Sequence, residues 1–193
     1  ALEGPLGDGM RSARTLGEAM RFVCGHSYAH SLAAWIWLRQ SFSDTSTLVG
    51  HHILIEGLPQ KSQAMEYILL VGNLATLGLT GGSVRARRVL FRHQPLVPLR
   101  VYRRNFGCEV RFGRSADAVI STRDASACPI PLPDAQAHRS ASDFIESRFT
   151  RRKPPLHADV RGIVTHVLGT EHCTRNGVAA QLGLHPRTMV RRL

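Results

Sequence analysis

Arg187 and Arg191 stand four residues apart near the end of a 193-residue chain, so on a helix they share one face, about a turn apart. Guanidinium groups held this way present forks of donors, the geometry that fits guanine O6 and N7 in the major groove of DNA. Other spacings invite other chemistry. His26 and His30 are also four apart, and His51-His52 and His172-Cys173 add further metal donors, but these intervals match no zinc module and no metal site is expected. Cys108, beside Glu109 and Arg111, reads either as a redox-sensitive thiol or, more simply, as a small buried hydrophobe. A Ser-His-Asp or Cys-His arrangement with a nucleophile turn is missing. So are paired carboxylates among only fourteen acidic residues, and any Gly-rich phosphate loop. Neither an enzyme nor a cofactor is expected.

The elements that must position the two arginines are legible in residues 174–193. Thr174 suits an N-cap, Val178, Ala179 and Leu182 form an inner face, and the small Ala179 lets a second helix cross closely. Gly183 supplies the left-handed residue that ends the first helix, and Pro186 suits the first position of the next. Met189 and Leu193 then face inward, which leaves Arg187, Val190 and Arg191 outward. Two short helices about a Gly turn describe either an ordinary helical corner or a helix-turn-helix, whose second helix enters the major groove. In that reading Arg187 and Arg191 touch bases, Arg192 grips phosphate, and Thr188, Val190 and Thr174 complete the DNA-facing set. Upstream, Val160, Ile163, Val164, Val167 and Leu168 predict an amphipathic helix over 156–169, capped by Gly169.

The run Val178-Ala179-x-x-Leu182-Gly183-Leu184-x-Pro186-Arg187-Thr188-Met189-x-Arg191-Arg192-Leu193 resembles the first helix-turn-helix of the AraC/XylS family of regulators, where the pattern is roughly V-A-x-x-L-G-x-S-x-R-T-L-x-R-x-L. The 156–169 helix matches the one that opens that family's DNA-binding domain. Arg92-His-Gln-Pro through Tyr102, Phe106-Gly107-Cys108, Val110-Arg-Phe-Gly113 and Pro131-Leu-Pro-Asp134 are similar to the latter part of an arabinose-binding-type effector domain carried by one branch of the family. The resemblance implies promoter DNA and a small-molecule effector as partners, leaves RNA polymerase and a second copy of the chain open as further ones, and implies a chain truncated at both ends that binds DNA weakly by itself. The chain departs from the family pattern at three places. His185 replaces the usual Ser N-cap, which costs up to about 1 kcal/mol. Val190 replaces a commonly polar residue. Asn176-Gly177 weakens the first helix by roughly 1 kcal/mol against Ala.

Composition agrees with a folded, nucleic-acid-seeking protein. Hydrophobic residues are 43% of the chain, and its formal net charge is +11. The charge is unevenly placed: residues 85–114 hold nine basic residues against one acidic, and 151–193 hold eight against two. Either a solvated face or a polyanion surface accounts for the first block. Four scattered cysteines without a C-x-x-C pair suit a reducing, cytoplasmic setting, and the apolar stretch 67–79 is too short to span a membrane.

An α+β domain is expected over 1–150, built of antiparallel strands with helices and followed by an all-α partial helix-turn-helix domain over 151–193. Its expected helices cover 15–25 (closed by Gly25), 62–79 (stopped by Gly81-Gly82), 97–106 and 135–149. The last of these should bury Ala141, Phe144, Ile145 and Phe149. Strands are expected over 31–39, 48–56, 84–91, 110–112 and 118–122, the first two forming a hairpin across 41–47, with a Pro-rich turn at 129–133. Alternation puts Trp35 and Trp37 on one face of the hairpin and Ile36 and Leu38 on the other. Phe22, Trp35 and Trp37 read either as plain core, the simpler account, or as the lining of an effector pocket between hairpin and helix. The alternative to a DNA-binding regulator is a stand-alone small-molecule or oligomerisation module with a vestigial tail.

Overall fold

The computed structural model describes residues 3–40, 46–55, 59–149, 156–167 and 173–193. The chain forms two compact units, Ala1–Arg151 and Arg152–Leu193.

The first unit opens with α1 (Gly4–Arg11), a helix without a sequence signal, because five of its first six residues are Gly, Pro or Leu and no polar side chain caps it. Thr15 accepts a bond from the Glu18 N–H and starts α2 (Leu16–His26), which buries Leu16, Ala19, Met20 and Val23. The helix runs past Gly25 and closes in a 3-10 turn, Ser27–Ala29, so Gly25 is not its stop. β1 (Ala34–Gln40) and β2 (Ser46–Ile53) pair antiparallel, while residues 41–45 and Glu56 of the expected hairpin lie outside the described residues. α3 (Lys61–Leu79) carries Gly72 and a buried Asn73 whose amide donates to the Phe106 carbonyl at 3.2 Å. It ends where Gly81 and Gly82 take positive φ.

β3 is only Arg88–Leu90, shorter than the expected 84–91 run, although Val84 and Phe91 are both buried beside it. α4 (Leu99–Phe106) begins after Pro98, whose extended backbone forbids an earlier start. β4 (Glu109–Arg111) and β5 (Ala118–Thr122) complete a five-stranded sheet of order β1-β2-β5-β3-β4. The expectation of antiparallel strands needs correcting at one place. α4 is a crossover between β3 and β4, and it returns the chain parallel, so the sheet is mixed. After the 129–133 turn, where Leu132 has a left-handed backbone, Asp134 caps α5 (Ala135–Arg148) through the N–H groups of Gln136 and Ala137.

One sheet face carries Ile36, Leu38 and Val49 against α2, with Met20, Phe22, Val23 and Ile145 in that cluster. Farther along, Met65 and Leu69 of α3 and Tyr102 and Phe106 of α4 close on Val89, Phe91 and Val110. Trp37, Leu48, Ala116 and Ala118, with Trp35 and Ile120 against them, form a separate cluster. Period-2 alternation along β1 sets this cluster on the opposite face from Ile36 and Leu38. On α5, Ala141 and Ile145 are buried but Phe144 and Phe149 are exposed, because the helix packs by a narrower stripe than its sequence suggests. Phe144 instead lies under the Arg148 guanidinium. Among the described residues no helix is long and apolar enough to cross a membrane.

In the second unit come α6 (Leu156–Val167), α7 (Arg175–Gln181) and α8 (Pro186–Arg192). The Thr150–Pro155 breaker, Leu168, Gly169 and His172 lie outside the described residues.

Candidate nucleic-acid interface

Ile163 of α6, Val178 and Ala179 of α7, and Met189 of α8 are the buried centre of the second unit, with Val160, Val164, Leu182 and Leu184 packed around them. Ala179 is fully buried, so α8 closes over a residue with no side chain beyond Cβ. The Thr174 hydroxyl accepts the Gly177 N–H at 3.0 Å and starts α7. At the other end the Gly183 N–H donates to Ala180 and the Leu184 N–H to Ala179, with Gly183 at φ +63°. That paired closure turns the chain within three residues and fixes where α8 starts. Thr174→Ala should lower the stability of this unit by about 1 kcal/mol, read as a downshift in its thermal midpoint. A midpoint unmoved by the substitution would show that the cap is idle.

His185 stands at the N-cap of α8, and its ring Nδ1 accepts the Arg187 N–H at 3.3 Å. The expected penalty for losing a Ser cap is therefore offset, since an imidazole nitrogen supplies the acceptor. Pro186 occupies the first helical turn, where a missing N–H costs nothing. With Met189 buried, a spacing of two residues to either side sets Arg187 and Arg191 on the outer face, and both are exposed. Val190 (53% exposed) and Arg192 are open to solvent too, Thr188 is half-buried, and Thr174 is exposed at the start of α7. Leu193 corrects the sequence reading: it lies beyond the helix and is 58% exposed, so Met189 alone anchors α8 inward.

The expected three-residue effector pocket does not form. Phe22 packs on the α2 side of the sheet, its ring against Gly9, His26 and His138, whereas Trp35 and Trp37 lie across the sheet with His52. Alternation along β1 puts the tryptophans on the face opposite the helix. A concavity that sequence reasoning misses is an open groove of about 540 Å³ along α3, lined by Val71, Leu74, Ala75 and Gly78, by Ile130 and Leu132 of the Pro-rich turn, and by Arg11 of α1. Its only sequence signal is the uncharged stretch 67–82.

Among the described residues the histidines that the sequence spacing singles out lie in separate surroundings, apart from His30, whose charge reaches His51. His26 is held by the Phe22 carbonyl at 2.9 Å and lies near Ser142 and Glu146. His51 and His52 point to opposite faces of β2, and burial pushes both rings down to about 4. Among the described residues no group of three or more His, Cys, Asp or Glu could hold a metal. Cys108 is half-buried, and desolvation, with Glu109 second, raises its thiol, which keeps it protonated and poorly nucleophilic.

Comparison with known proteins joins the two units. Residues 3–130 match the family described as the arabinose-binding domain of AraC transcription regulators, N-terminal. The chain is 31% identical over 192 residues to the HTH-type transcriptional regulator VirS of Mycobacterium tuberculosis, in both strain CDC 1551 / Oshkosh and strain ATCC 25618 / H37Rv. The match covers 98% of the chain and 56% of VirS, so the chain spans about half the length of these curated relatives. In fold it is similar to the transcriptional regulator CdpR from Pseudomonas aeruginosa, with a TM-score of 0.62 at 20% identity, over 98% of this chain and 62% of that one. With two thirds of its length matched to that domain, the chain belongs to the AraC family of transcription regulators.

Proposed function

We propose that the second unit binds duplex DNA, with α8 in the major groove, Arg187 and Arg191 at base edges, and Arg192, Thr188 and Thr174 toward the backbone. The observation that carries this reading is the exposure of both arginines on the side of α8 opposite buried Met189, on a helix whose start is fixed by the Gly183 closure. The first unit would hold a small-molecule effector that changes DNA affinity. The α3 groove, within the ordinary size range of ligand sites and lined by aliphatic side chains with Arg11 among them, suits a largely apolar one that can meet a guanidinium.

The test is a selection of duplexes from a random pool on the 193-residue chain, followed by titration of the selected and of random duplexes. Arg191→Ala should weaken the selected duplex by about 1 to 3 kcal/mol while leaving random duplex nearly unchanged. Equal losses on both duplexes would end the base-reading role of Arg191.

A further inference from the structure

The basic block over residues 85–114 lies outside the DNA-facing tail, and the fold gathers it about one crossover. β3 and β4 are parallel and in register from Arg88 with Glu109, so the start of each strand and the last turn of α4 lie at one end of the sheet. Arg103 and Arg104 occupy that last turn, and Arg85 and Arg87 lead into β3. Arg100 opens α4 and Arg114 follows β4. Tyr102 and Phe106 face the core, so Arg100 and Arg104, four apart, point away from it.

The single carboxylate in the block is already engaged: Glu109 accepts from Arg88 Nε at 2.6 Å with one oxygen and from Arg111 Nε at 2.6 Å with the other. Among the described residues Arg85, Arg87, Arg100, Arg103, Arg104 and Arg114 form no ion pair, and all six are exposed. Four of these, Arg85, Arg87, Arg103 and Arg104, lie at the end where the strands start, and unopposed like charges so gathered repel each other and destabilise the fold that holds them together. A helix C-terminus favours Arg103 and Arg104, but it does nothing for the other four. These six come from separate segments spread along the crossover, an arrangement unlike a compact site for a small anion. They suit an extended polyanion with charge at regular intervals.

We infer that the β3–α4–β4 surface of the first unit is a second, sequence-independent contact for the phosphate backbone of duplex DNA. This rests on the reading of the chain as a DNA-binding regulator, but not on which residues of the tail read bases. Duplex phosphate is favoured over an acidic protein because the block is almost purely cationic and the chain carries a second basic block in its tail.

The experiment measures fluorescence anisotropy of a random-sequence 30-base-pair duplex with the 193-residue chain between about 50 and 200 mM salt, a range over which phosphate neutralisation dominates the change in affinity. R100Q/R103Q/R104Q should reduce the magnitude of the log K against log salt slope by about 2 to 3, near 0.9 for each phosphate no longer neutralised. The thermal midpoint should not fall, because these side chains are exposed, form no ion pair and repel one another. A slope equal to that of the unmodified chain would overturn the inference and turn attention to an acidic protein partner. Absence of any binding at about 50 mM salt, where attraction to phosphate is strongest, would overturn it too.

A second measurement does not depend on the variant folding. Excess duplex should shield Arg100, Arg103 and Arg104 from phenylglyoxal while Arg139 on α5 stays reactive, and equal modification of all four would also overturn the inference. R187Q/R191Q separates the two readings. If that pair leaves binding of the selected duplex intact while the α4 triple lowers the slope on random duplex, the tail reading falls and this one stands, whereas the reverse pattern sinks this one alone.

Discussion

Phe91→Ala should destabilise the first unit by about 3 to 5 kcal/mol, the range for truncating a buried aromatic where the surroundings cannot collapse. Phe91 is fully buried at the end of β3. Its ring stacks on Phe112 at 5.3 Å, meets Phe106 edge-on at 5.8 Å, and lies 5.0 Å from His93 and 6.3 Å from Tyr102. Removing it takes away the ring that joins the sheet to α4 and opens a void lined by rings too rigid to fill it. Urea unfolding followed by tryptophan fluorescence reads this directly, because Trp35 and Trp37 both belong to this unit. Phe144→Ala is the matching control. That ring is 45% exposed, so its loss should change the midpoint little. A Phe91 variant within about 1 kcal/mol of the parent would mean that the aromatic cluster is not what holds α4 in place.

The second large effect is acid sensitivity. His51 and His52 are held near 4 instead of the ordinary 6.5, chiefly by burial, with His30 adding to the first and Arg92 and Arg39 to the second. Unfolded, each ring takes a proton near 6.5, and folded it resists until about 4, so between those values the unfolded chain binds more protons. Stability should be level above about pH 6.5 and fall through the window down to about 4, by up to about 3 kcal/mol for His51 and less for the more exposed His52. Asp117 opposes this at the acid end, since burial raises its carboxyl and the folded state then gains from protonation. Urea midpoints at a series of pH values check the expectation, and His51→Gln should flatten the slope. A midpoint that does not move between pH 6.5 and 4.5 would show that both rings find water when the pH drops.

Much of the second unit is written in residue types whose physics is local. Thr174, Gly183 and Pro186 each have one conformational job, and each does it where the spacing puts it. The outward face of α8 follows from Met189, but Leu193 does not obey the same period, because the helix ends before it and a terminal residue has no following turn to pack against. His185 shows the limit of reading by residue type: propensity scores histidine poorly as a cap, and only geometry reveals the ring nitrogen in place of a hydroxyl.

In the first unit, alternation places Trp35 and Trp37 on one face of β1 but cannot say which face meets the helices, and the pocket with Phe22 fails on that point. The parallel β3–β4 pair is hidden for a related reason. Three-residue strands carry too little pattern to reveal direction, and only the crossover decides it. The α3 groove is invisible in sequence because it joins residues 71–78 to 130–132, a proximity that no local period encodes.

The two rims of the sheet are unequal. At one end β4 is three residues long and carries Glu109 and Arg111, a short charged border that discourages another strand from docking. At the other, β1 runs for seven residues, Ala-Trp-Ile-Trp-Leu-Arg-Gln, and among the described residues it pairs with a strand on one side only. Whatever loosens the first unit in concentrated solution should therefore expose the β1 margin as the place where chains begin to stick together, and solubility under stress will be governed there.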